Sequence, residues 1–256
     1  MSWTDFFEEN YLFLNSYDEI EFKIKKFIKS GANINDEVEF CVYPIHLASK
    51  RGYSEVVKVL INEGVDMNAK SVYGKTPLHL ASKRGYSKVV KVLMHKGANV
   101  NAGDYINNTP LHDVSSMKGY YSKIAKILVD GGADVNLKNN SNETPLHIAS
   151  RSGCLDIIRI LLNKDADVNA KDQYDNTPLH YASLGRNLEI VKLLVEHGAY
   201  LNSLNNGVYK PIDLTENNEI FNYLSNAKET MDKRNVISYF LVMVYTNKFS
   251  KLKDKN

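Results

Sequence analysis

In YSKVVKVLMHKG, residues 86–97, Val89, Val90, Leu93 and Met94 recur at the three-and-four spacing that gathers side chains on one face of a helix. Just upstream, TPLHLASKRG carries its own short helical pattern, with Thr76 placed to cap it and Pro77 at its first position. There a missing N–H costs nothing and φ is already set. Gly85 supplies the left-handed residue that ends this first helix, and Gly97 closes the second. The polar stretch NVNAGDYINN then carries the chain as an extended turn to the next Thr-Pro. The unit reads as two short helices and a turn.

The unit recurs. All six prolines, Pro44, Pro77, Pro110, Pro145, Pro178 and Pro211, hold one position, separated by 33, 33, 35, 33 and 33 residues. A second landmark (GANIN, GVDMN, GANVN, GADVN, DADVN, GAYLN) begins at 31, 64, 97, 132, 165 and 198 with the same spacing. Two independent rulers with one period predict a repeat array, and both place two extra residues near SSMKGYYSK. The expected organisation is an N-terminal capping repeat over 1–35 and five full repeats over 36–68, 69–101, 102–136, 137–169 and 170–202. A capping half-repeat over 203–226 and a non-repeat tail over 227–256 complete it. No unit can bury its apolar face alone, so seven stacked helix pairs are expected to share one core.

This pattern resembles the ankyrin repeat. The resemblance rests on TPLHLASKRGYSKVVKVLMHKGANVNA, TPLHIASRSGCLDIIRILLNKDADVNA and TPLHYASLGRNLEIVKLLVEHGAYLNS, and covers about residues 1–226. It implies an all-α solenoid of stacked helix pairs with extended turn connections, curved, with a concave face that binds other proteins through turn tips and first helices. It also implies a structural task for His46, His79, His112, His147 and His180. Each ring would hydrogen-bond near the capping threonine and the neighbouring turn, locking one repeat to the next. The departures are local: Asp165 stands for a helix-ending glycine, Arg186 for a turn glycine, Asp113 for an apolar residue and Lys210 for the capping threonine.

On that template the candidate partner-binding residues are cations before the turn and large side chains near the tips. The cations are Lys50, Arg51, Lys83, Arg84, Lys118, Arg151 and Arg186, read as a column one repeat apart. The tip residues are Tyr73, Tyr105, Ile106 and Tyr174, with Tyr43 and Tyr209 nearby, all of the type enriched at interfaces. Steps of roughly 8–10 Å between packed helices match about three residues of an extended peptide, so the expected partner segment is acidic and extended. The competing account is inheritance: duplicated repeats copy SKRGY whether or not it binds anything, and lysine near a helix C-terminus is favourable there.

Charge and composition narrow the classes further. A formal net charge of +2 and a pI near 8.3 are too mild to point to nucleic acid. The two cysteines, Cys41 and Cys154, lack metal-ligand spacing, and the glycines are spent on helix ends rather than on a phosphate-cradling loop. A shared metal or proton-transfer site would need several histidines within about 3 Å of one atom, whereas successive repeats stand further apart. No cofactor, metal, small-molecule substrate or catalytic residue is therefore expected. The rival enzyme reading confines a site to the insert SSMKGYY, which holds no acid–base pair.

No signal peptide is seen, and the longest apolar run, VISYFLVMVY at 236–245, is too short to span a membrane. The expected location is the cytoplasm, the protein's own or that of a host, and the expected state is monomeric. In the tail, Ile237, Phe240, Leu241 and Val244 have helical spacing suited to covering the last repeat. Recruitment of a second partner, such as a ubiquitin-ligase component, and membrane-surface binding are the alternatives for that segment.

Overall fold

A threonine followed by proline marks where four of the inner helices begin. In the computed structural model, which describes residues 2–10, 17–35, 42–119 and 121–230, Thr76, Thr109, Thr144 and Thr177 are extended N-cap residues with proline directly after them. The inner helices that follow are α3 (Pro44–Arg51), α5 (Pro77–Lys83), α7 (Pro110–Ser115), α9 (Pro145–Ser152) and α11 (Pro178–Leu184). Each is paired with an outer helix: α4 (Ser54–Asn62), α6 (Ser87–His95), α8 (Tyr121–Asp130), α10 (Leu155–Leu162) and α12 (Leu188–Glu196). Before them lie α1 (Trp3–Asn10) and α2 (Tyr17–Lys29). A 3-10 turn, Pro211–Leu214, and α13, over 218–230, form the seventh pair.

From α3 to α12 each helix packs on its counterpart one repeat away as well as on its own partner, and α1 and α2 pack on α3 and α4, giving an inner row from α1 to α11 and an outer row from α2 to α12. Leu78, Ala81, Val89, Val90 and Leu93 are fully buried, and their equivalents in the next repeats, such as Leu111, Val114, Ile124, Ala125 and Leu128, continue the same core. At roughly 1.5–3 kcal/mol for each buried aliphatic side chain, the interface between repeats rather than any one unit supplies the stability. The inner helices run six to eight residues and the outer eight to thirteen. At the N-terminal end Trp3, Phe6 and Phe7 are buried, with Phe6 stacked on Phe27 at 4.7 Å and the Trp3 indole N–H donating to the Asn33 carbonyl.

The departures from the repeat have visible consequences. Asp165 takes the left-handed conformation of the glycine it replaces, with φ 59°. The end of the inner helix in the fifth repeat differs: no residue between α11 and α12 is left-handed, Gly185 is extended (φ −76°, ψ 175°), and the Asn187 side chain accepts the Glu189 N–H to start α12. The insertion shortens α7 to six residues, its last turn closed by Ser115 Oγ donating to the Leu111 carbonyl at 2.7 Å. Lys210 offers no capping oxygen. Asp213, standing where the other repeats have histidine, instead accepts the Lys210 N–H at 2.8 Å, and only a 3-10 turn forms.

Cys41, Tyr120 of the insert and the segment 231–256, with its apolar run and its predicted capping helix, lie outside the described residues. Among the described residues no helix is long and apolar enough to cross a membrane.

Candidate functional site

The five recurrent histidines are buried and each bridges two repeats. In His79 the Nδ1 atom accepts the Thr76 N–H at 3.1 Å and lies 2.9 Å from the Thr76 hydroxyl. Because a backbone N–H can only donate, Nδ1 is the unprotonated nitrogen, and Nε2 donates to the Asn108 carbonyl of the next repeat at 2.9 Å. His112, His147 and His180 repeat this with the carbonyls of Glu143, Asn176 and Tyr209, and His46 reaches those of Ala69 and Lys75. Both ring nitrogens are engaged, so the rings present no free lone pair for a ligand. Burial holds all five pKa values below the ordinary histidine value. Among the described residues no group of three or more His, Cys, Asp or Glu side chains is placed to hold a metal.

Asparagines and aspartates hold the turns. Asp104 Oδ1 accepts the N–H groups of Ile106 (3.0 Å) and Asn108 (2.9 Å), and Asn139, Asp172 and Asn205 stand at the same position in later turns. The tips are tied to one another: the N–H groups of Asn140, Gln173 and Asn206 each donate 2.9 Å bonds to the carbonyls of Ile106, Ser141 and Tyr174. At the base of the turns Asn68, Asn101, Asn136 and Asn169 each accept a backbone N–H of the following repeat at 2.8–2.9 Å. These asparagines end the GANVN landmark, so their period was in plain sight; their bridging role was not assigned from the sequence.

On this fixed backbone stand the predicted tip residues. Tyr73, Tyr105, Ile106 and Tyr174 are 74%, 67%, 56% and 59% exposed, on the turns that open the second, third and fifth full repeats; the turn between, at 139–142, carries Asn140 and Ser141 instead. Tyr105 lies so close over Gly74 that a Cβ there would meet its ring and its backbone nitrogen at 2.7 Å. Tyr209 is exposed beside its turn, but Tyr43 is not a tip. It occupies the N-cap position held elsewhere by threonine and packs half-buried on the His46 ring.

The cations do not form one column. Counted from each proline, Lys50, Lys83 and Arg151 share a register, Arg51 and Arg84 the next, and Lys118 and Arg186 the one after, beyond the helix ends. Arg51 is paired with Glu8, and Arg151 with Glu143 while lying 5.1 Å over the Tyr181 ring. Lys50, Lys83, Arg84, Lys118 and Arg186 are exposed and make no ion pair with another described residue. The sequence reading missed Lys75, whose ammonium binds both Asp104 (2.7 Å) and Asp113 (2.8 Å). Burial disfavours its charge, but the two carboxylates outweigh that and hold its pKa above the usual lysine value. Asp113 thus belongs to a partly buried triad in mid-groove rather than merely interrupting a basic surface. In the fifth repeat the Tyr181 hydroxyl donates to Asp172 at 2.6 Å; burial and that carboxylate push the phenol up to about 12.

Among the described residues the site holds no nucleophile paired with a base. Cys154 is buried, its thiol pushed up by burial and donating to the Met117 carbonyl at 3.4 Å, which suits packing and not reactivity. What the inner side offers is a rigid row of exposed aromatic tips beside polar and cationic helix ends.

The comparisons agree with this geometry. The sequence family described as Ankyrin repeats (3 copies) matches residues 16–104 and 111–205. The chain is similar to the crystal structure of the human ASB11 ankyrin repeat domain, at 25% identity and a TM-score of 0.71. The match covers 82% of this chain and 96% of that one. Solved chains matching this fold number 570, so likeness of fold does not single out a partner. No curated protein matches. The chain belongs to the ankyrin-repeat family.

Proposed function

We propose that this ankyrin-repeat chain is a non-enzymatic protein-binding module, an adaptor that receives an extended acidic segment of a protein partner along its inner face. The observation that carries the reading is the exposure of Tyr73, Tyr105, Ile106 and Tyr174 on turns whose backbone is fixed by hydrogen bonds to neighbouring turns. Large amphipathic side chains on a pre-ordered support contribute most to association, because little conformational freedom remains to be lost. The exposed cations at the inner-helix ends supply the charge preference: Lys50, Lys83 and Arg84 on one side of the Lys75 triad, Lys118 and Arg186 on the other.

The test is quantitative capture of proteins from the native cell by the parent chain and by a triple variant, Tyr73→Ser, Tyr105→Ser and Tyr174→Ser. The expected result is a loss of captured partner of about tenfold or more, with a melting temperature close to that of the parent. Equal recovery by both chains would rule the tips out as the binding surface.

A further inference from the structure

Two departures from the repeat meet at one place. The insertion in the third repeat sets Lys118 beyond the end of α7, and its ammonium lies 3.8 Å from where a Cβ would stand on Gly153. Lys118 therefore reaches across the turn of the fourth repeat. In the fifth repeat the order Gly185–Arg186 replaces the usual arrangement, and the extended Gly185 lies in an open notch with Arg186 on its edge. Between them stands Arg151, positioned by Glu143 and the Tyr181 ring. The three cations line a single cleft of about 540 Å³.

The charges in this cleft do not balance. Lys118 and Arg186 make no ion pair with another described residue, and the one carboxylate on its wall, Glu189, is engaged by Arg159. A surface that leaves two cations unpaired beside a pre-positioned guanidinium is complementary to anions. The backbone shows which kind. Phosphate sites are built from free N–H groups at a helix start, but here the Asn187 side chain already takes the Glu189 N–H at 3.0 Å. The cleft offers side-chain donors spread over two turns rather than a cradle for one tetrahedral group.

We infer that this cleft is the anchor point for an acidic peptide segment, taking its aspartate or glutamate carboxylates on Lys118, Arg151 and Arg186. The inference rests on the protein-binding reading above and adds where along the inner face the partner's acidic residues lie. It also separates this end of the array from Lys50, Lys83 and Arg84, which do not line this cleft.

The experiment measures binding of a fluorescent oligo-glutamate peptide to the full chain at low ionic strength by anisotropy. Two double variants are compared with the parent: Lys118→Gln with Arg186→Gln in the cleft, and Lys88→Gln with Lys91→Gln, an equal loss of charge on the exposed outer face of α6. The expected result is a dissociation constant about tenfold higher for the cleft variant, with the outer-face variant within about twofold of the parent. Equal effects of the two variants, or no binding of the peptide by the parent, would overturn the inference. So would tighter binding of a phosphoserine peptide or an oligodeoxynucleotide of matched charge that the cleft variant abolishes. Loss of the cleft effect alone, with the tip variant still failing to capture partners, would sink this inference and leave the binding reading standing.

Discussion

A histidine whose two nitrogens are both committed to backbone groups has one protonation state that fits. For His79, Nδ1 faces the Thr76 N–H and Nε2 donates to the Asn108 carbonyl, so adding a proton sets a donor against a donor in a buried site. Burial lowers the pKa of all five such rings, so the unfolded chain, titrating near pH 6.5, takes up protons that the folded chain refuses. The contribution is complete above that pH and is lost as pH falls from it towards the lowered folded values, by up to ~1.4 kcal/mol per pH unit for each ring. Melting curves should show a temperature independent of pH above the window and falling steadily within it; a flat profile throughout would mean the rings are not the locks. Val208 gives a second residue-scale test. It holds φ 63° at the turn position filled elsewhere by Gly74, Asn107, Asn142 and Asp175, a conformation costly for a β-branched side chain. Val208→Asn is expected to stabilise the last turn by about 1 kcal/mol, read as a higher denaturant midpoint. The histidine role was legible because the five copies sit in the motif that carries the ankyrin resemblance, whereas Val208 lies in a turn whose backbone sign the sequence did not disclose.

At the level of the element, the period announced helix starts better than helix ends. Thr-Pro fixes the first turn chemically, and the inner helices begin where that pair predicts. Ends depend on which residue accepts a left-handed φ. Asp165 does so in place of glycine at an outer-helix end, whereas after α11 the Gly185–Arg186 order leaves no left-handed residue. The Lys75–Asp104–Asp113 triad was also invisible, because its members sit 29 and 38 positions from Lys75 in a chain with no contact map. Lys75 is the sole counter-charge found for both carboxylates among the described residues. Lys75→Met therefore leaves two poorly solvated anions facing each other and should cost about 3 kcal/mol in urea unfolding. Adding Asp113→Leu, which restores an apolar residue in that register, should recover part of the loss. If Lys75→Met is neutral by itself, the triad is ornamental rather than a pin between repeats.

For the whole molecule, the stacking of helix pairs follows from a period that no isolated unit could satisfy, and the fold was readable for that reason. The binding surface was only half readable. Exposed tyrosines at the tips follow from turn positions alone, but the cations had to be sorted by pairing, since Arg51 and Arg151 are engaged by Glu8 and Glu143. On the proposed reading, what repeats builds the scaffold and what departs from the repeat does the recognising. Hydrogen–deuterium exchange of the chain with and without its captured partner tests this claim most directly. The account predicts new protection at the tips around Tyr73, Tyr105 and Tyr174 and at the ends of α9 and α11, with the outer helices α4, α6 and α8 unchanged. Protection concentrated on those outer helices, with the tips untouched, would contradict it.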